Sequence, residues 1–63
     1  MMTLKEIKAE VYTRGQYLVS YETDKKSKRT KARQLAALKL DGYGVEFHTR
    51  FLDGSELWCI YGE

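Results

Sequence analysis

Proline is absent from this chain, and cysteine, histidine and tryptophan occur once each. The missing proline and the lack of any low-complexity stretch leave nothing to serve as an interdomain linker. The single thiol, Cys59, excludes an intramolecular disulfide and fits a reducing compartment. One histidine and one cysteine cannot fill the ~4 ligand positions of a structural zinc, so no metal is expected. No cofactor is expected either: Gly42-Tyr43-Gly44 is followed by neither a Lys-Ser/Thr pair nor a helix start, and Asp53-Gly54 reads as a turn. Long apolar runs are also missing. Nothing approaches the ~18–20 residues of a membrane span, and the first residues do not resemble a signal peptide. A soluble, cytoplasmic protein is expected, acting in a host cell's cytoplasm if it is phage-encoded.

What is present fits one small α+β domain covering residues 1–63, with 43% apolar and 13% aromatic residues. A chain this short buries only ~60% of the surface its unfolded form exposes, so the aromatics carry much of the core. Residues Ile7 to Thr13 and Gln16 to Thr23 are rich in β-branched and aromatic types around Arg14-Gly15, which reads as a hairpin with Gly15 as a left-handed bulge residue. That register puts Ile7, Ala9, Val11, Tyr17, Val19 and Tyr21 on the core face. A competing pattern exists, because Thr3-Leu4-Lys5-Glu6 has the form of a capping box and Leu4, Ile7 and Val11 also fit a helical stripe. The strand is preferred because Val11-Tyr12-Thr13 favours β structure.

From about Lys28 to Leu40 the residues are good helix formers, with Ser27 as N-cap and Gly42 beyond the last turn. Ala32, Leu35, Ala36 and Leu40 are expected to face the sheet, with Thr30, Arg33, Gln34 and Ala37 pointing away. Val45 to Leu52 and Ser55 to Tyr61 flank Asp53-Gly54, a two-residue type I′ hairpin signal. Val45, Phe47, Thr49, Phe51, Trp58 and Ile60 then share the core face, with Trp58 buried near Leu35 and Ala36. The expected order is β-β-α-β-β, an antiparallel sheet with one helix packed on one face.

Charge is where the sequence speaks most clearly about function. Six of the nine residues from Lys25 to Arg33 are basic (Lys25, Lys26, Lys28, Arg29, Lys31, Arg33), in a chain whose net charge is only +2. A patch of this kind attracts anionic surfaces. Cations at a helix start are disfavoured by ~0.3–1 kcal/mol each, a cost that a bound anion would reverse. The open sheet face is a second candidate surface, with Tyr12, Leu18, Leu57, Cys59 and Tyr61 set among His48 and Arg50. The hairpin register places His48 opposite Cys59, but no third orienting group or oxyanion donor is evident, so no catalysis is expected.

These readings describe a non-enzymatic binding protein, and the residues are compatible with more than one partner. The one slightly preferred, for a chain this small with no catalytic inventory, is an acidic, nucleic-acid-recognising protein surface, occupied in the way that small phage-encoded inhibitors or adaptors act on host polymerases or defence complexes. Another is nucleic acid itself, held through its phosphates by the same six residues. The third is a homodimer through the open sheet face. No membrane partner is expected.

Overall fold

The computed structural model describes residues 2–62 and has the order α1 (Leu4–Arg14), β1 (Gln16–Tyr21), α2 (Lys25–Leu40), β2 (Gly44–Arg50) and β3 (Glu56–Tyr61). The protein is α+β, and the described residues form two helices and one three-stranded antiparallel sheet in the order β1-β3-β2. The expected β-β-α-β-β order is therefore corrected at its first element, which is a helix. Thr3 caps it in a reciprocal box. Its hydroxyl accepts from the Glu6 N–H at 3.2 Å while its own N–H donates to Glu6 Oε1 at 3.0 Å. Ile7 and Val11 are buried and Leu4 packs beside them, whereas Ala9, placed in the core by the strand reading, is exposed. Positions 7 and 11 suit either period, and the cap together with burial against the sheet decides the matter. Gly15 ends α1 as its C-cap, its N–H bonded to Val11 O at 2.8 Å, rather than turning a hairpin.

Helix α2 begins one turn earlier than expected. Asp24 is the N-cap, and its carboxylate accepts from the Ser27 N–H at 3.1 Å and the Ser27 hydroxyl at 2.7 Å. A carboxylate suits this position better than a serine hydroxyl, since its negative charge complements both the positive end of the helix dipole and the adjoining Lys25 and Lys26. The rotation of α2 also differs. Ser27, Thr30, Gln34, Leu35 and Leu38 are buried, while Ala32, Ala36 and Leu40 face solvent. The polar members of the buried set are all bonded. Tyr21, 2% exposed at the end of β1, donates its hydroxyl to Gln34 Oε1 at 2.8 Å, and Gln34 Nε2 donates to Met2 O at 2.7 Å. Thr30 returns its hydroxyl to Lys26 O.

The β2-β3 hairpin closes through Leu52-Asp53-Gly54, with Phe51 N–H bonded to Ser55 O. Only Gly54 has positive φ, 91°, so the turn is not type I′. A register shift between Phe47 and Thr49 leaves His48 at a bulge. This changes which side chains share a face. Tyr17, Val19, Tyr21, Val45, Phe47, Arg50, Glu56, Trp58 and Ile60 lie toward the helices; Leu18, Ser20, Glu46, Thr49, Leu57, Cys59 and Tyr61 lie on the open face. Thr49 leaves the expected core row, and Phe51 is half-exposed at the hairpin loop. Trp58 is only partly buried: Phe47 meets its ring edge-on at 5.6 Å, and Lys31 sits above it.

The Tyr21 hydroxyl is the polar tie between β1 and α2, and its replacement is the test of the fold. Tyr21→Phe should cost about 1–3 kcal/mol by leaving Gln34 Oε1 buried without a donor, read from urea denaturation. Burial also pushes the Tyr21 phenol up to about 12 from 10.0. The folded pKa lies above the unfolded one, so this contribution is intact below pH 10.0 and is lost as pH rises toward about 12. The Phe variant should lose less stability across that interval than the parent does.

Candidate functional site

Seven of the chain's eleven basic residues lie in α2, which contains no acid, leaving four basic against nine acidic groups elsewhere. The helix therefore carries +7 and the remainder −5. Six of its cations are exposed: Lys25, Lys26, Lys28, Arg29, Arg33 and Lys39. At 3.6 residues per turn, Ala32 and Ala36 fall within about 20° of the Lys25 line, along the middle of the solvent face. Lys28 and Lys39 lie about 40–60° to one side, and Arg29, Arg33 and Lys26 about 40–100° to the other. The outward face is thus a strip of small residues between two cationic rows, roughly 21 Å from Lys25 to Lys39 at 1.5 Å per residue.

Lys31, the remaining member of the basic run, is drawn out of this set. It turns to the sheet, where its ammonium lies 2.8 Å from Glu56 Oε1. Glu56 also accepts from Arg50 Nη2 at 2.6 Å and from Trp58 Nε1 at 3.1 Å. The Lys31, Arg50 and Trp58 donors, in that order of effect, hold the Glu56 carboxyl at about 2, below its ordinary 4.5. This cluster pins the side of α2 to the hairpin. Its partners are occupied with one another.

The second expected surface is only partly assembled. Leu18 and Cys59 are direct cross-strand partners, as are Ser20 and Leu57, so Leu18, Leu57, Cys59 and Tyr61 do share the open face. Tyr12 does not belong to it, being exposed on α1, and Arg50 is on the helix side of the sheet because of the bulge. His48 sits at that bulge, and Cys59 pairs with Glu46 instead of His48. Among the described residues, no three metal-ligating side chains converge.

Two shallow grooves flank the helices. One, of about 400 Å³, lies between the start of α1 and α2, with Lys26 and Arg33 on its lining. The other, of about 430 Å³, lies at the opposite ends of the helices and is lined by Tyr12, Tyr43 and Asp41. Only the first has the electrostatic character of the α2 face. Among the described residues, no helix is long and apolar enough to cross a membrane. The chain matches no protein-family model, no curated protein and no solved structure.

Sequence reading locates the basic segment but misses three features of it. Lys39 extends the cationic face by nearly two further turns, and the acid-free stretch running on to Leu40 is the signal for it. Ala32 and Ala36 are exposed spacers, not core residues. The withdrawal of Lys31 depends on Glu56, twenty-five residues away, and leaves no local trace.

Glu56 sets the acid response of this region. Its folded pKa, about 2, lies below the ordinary 4.5, so its contribution is present above pH 4.5 and is lost as pH falls toward about 2. Glu56→Gln should be less stable than the parent at neutral pH. The two melting temperatures should converge as pH approaches about 2, measured by circular dichroism.

Proposed function

We propose that the chain is a non-enzymatic binding protein whose docking element is α2, and that its ligand is duplex nucleic acid held through the phosphates. The observation that carries this reading is the paired arrangement of exposed cations on either side of Ala32 and Ala36. A major groove about 12 Å wide admits one α-helix. Small residues at the centre allow close approach, while lateral lysines and arginines reach the phosphate rows on both sides. The helix also carries unrelieved repulsion: Lys25 with Lys28 and Arg29, and Arg29 with Arg33, are like charges at the spacings where side chains meet on a helix. A polyanion converts that repulsion into attraction and releases counterions.

A second reading rests on a separate observation. Phe47, Phe51 and Leu52 are exposed apolar side chains on the hairpin, and the hairpin's Gly54 lies against Thr23 at the approach to α2. An apolar centre flanked by cations is what an acidic protein surface would require. In that case the chain would inhibit or adapt a nucleic-acid-handling complex from a host cell's cytoplasm.

Salt titration separates the readings. For duplex DNA, log affinity should fall linearly with log salt, with a slope of ~0.9 per phosphate contact, and Lys28→Gln, Arg29→Gln, Arg33→Gln and Lys39→Gln should each flatten it. For an acidic protein, random-sequence duplex should not bind at physiological salt, and Phe47→Ala should weaken capture of the partner as much as Arg29→Gln or Arg33→Gln does. Equal binding of duplex by the parent and by the quadruple variant would overturn the nucleic-acid reading.

Stability supplies an independent check on the same face. Lys25→Gln with Lys28→Gln and Arg29→Gln should raise the stability of the free protein by about 1 kcal/mol, by relieving repulsion and dipole opposition. The same changes should weaken binding. Loss of stability in that triple variant would show that the cations serve the fold.

A further inference from the structure

We infer that β1 is a self-pairing edge, through which two copies of this chain form one six-stranded antiparallel sheet. The inference rests on the contrast between the two edges and does not depend on what α2 binds. Strand β1, Gln16–Tyr21, is bonded on one side to β3 and, among the described residues, has no strand on its other side. An open edge presents a row of unpaired N–H and C=O groups, and proteins blunt such edges with charge, proline, a bulge or a cover. Strand β2 shows these devices. It has the bulge at His48 and carries Glu46 and Arg50 within seven residues. Strand β1 lacks the first three: its sequence, Gln-Tyr-Leu-Val-Ser-Tyr, contains no charged residue and no proline, and its pairing with β3 is uninterrupted.

The open sheet face shows the same asymmetry. On the β2 side, Tyr61 lies across Gly44, where any Cβ would overlap its ring, and its hydroxyl meets Glu46 Oε1 at 3.2 Å. On the β1 side, Gln16, Leu18 and Ser20 are exposed, Leu18 at 41%. On the open face, uncovered apolar surface and unmade backbone bonds therefore coincide on β1.

A second copy is the occupant that resolves this edge completely. A dyad normal to the sheet at Val19 sets Tyr17 opposite Tyr21 and Leu18 opposite Ser20, so both side-chain rows stay in phase. No charge meets a like charge, in contrast to any symmetric contact through the +7 helix. The paired sheet would be left with two β2 strands as its edges, both bulged and charged. A foreign strand would add a new edge of its own.

Sedimentation equilibrium tests the inference. The parent should show twice the 7.4 kDa chain mass as concentration rises. Leu18→Lys with Ser20→Lys, both exposed positions, should return it to the single-chain mass with an unchanged circular dichroism spectrum, whereas His48→Lys on the other edge should still dimerise. Amide exchange on the unmodified parent gives a readout free of substitutions: protection within residues 16–21 should rise with concentration, and within 44–50 it should not. A parent that stays monomeric at ~1 mM chain overturns the inference. So does a folded β1 variant that still dimerises, or protection that rises on β2 instead.

Discussion

The buried bond from Tyr21 to Gln34 governs what this protein shows to solvent. A phenol that is 2% exposed must find a partner or lose the hydrogen bond it had in water. Gln34 supplies it, and its amide nitrogen then reaches Met2 O, so one side chain ties β1, α2 and the residues before α1 together. Gln34 cannot be buried without turning Ser27, Thr30 and Leu38, its neighbours at helical spacing, toward the sheet as well. Ala32, Ala36, Arg29 and Arg33 are consequently carried outward. The rotation that satisfies the core is the rotation that arrays the cations.

A second consequence concerns how α2 tolerates its own charge. Its first two turns hold Lys25, Lys26, Lys28, Arg29 and Lys31 with no acid among them, an arrangement opposed by the helix dipole and by like-charge neighbours. Two acids outside the helix offset part of this. Asp24 caps the N-terminus and Glu56 removes Lys31 from the exposed set. Asp41, after the last turn, pairs with Lys8 of α1 and does not compensate the helix. Neither Asp24 nor Glu56 lies on the outward face. The compensation holds the helix in place while leaving that face uniformly positive.

The parts of this architecture that were legible in the sequence are those set by local chemistry. The body of α2, the β2-β3 hairpin about Asp53-Gly54, and the location of the basic segment follow from propensity, turn residues and charge. Two kinds of feature were not legible. Ile7 and Val11 satisfy both a strand and a helix pattern, and the capping box that distinguishes them competes with the β preference of Val11-Tyr12-Thr13 until burial is known. The phase of α2 runs against the usual rule that alanine and leucine turn inward ahead of threonine and glutamine. It depends on a partner, Tyr21, whose hydroxyl lies on another element. The bulge at His48 is likewise invisible locally, yet it moves Arg50 from the open face to the Glu56 cluster and takes His48 out of register with Cys59.

The two surfaces differ in how they could have been selected. A sheet edge must be compatible with folding, because an unpaired strand is exposed to non-native pairing before the native contact forms. An exposed helix face carries no such constraint and can gather charge up to the limit set by its own stability. In a domain this small, that limit is close, since the margin between burial and chain entropy is only a few kcal/mol. Repulsion of about 1 kcal/mol along α2 is thus a substantial share of the margin. Solubility does not account for a charge pattern that costs such a share, because lysines spread evenly over the surface would serve solubility without crowding one helix.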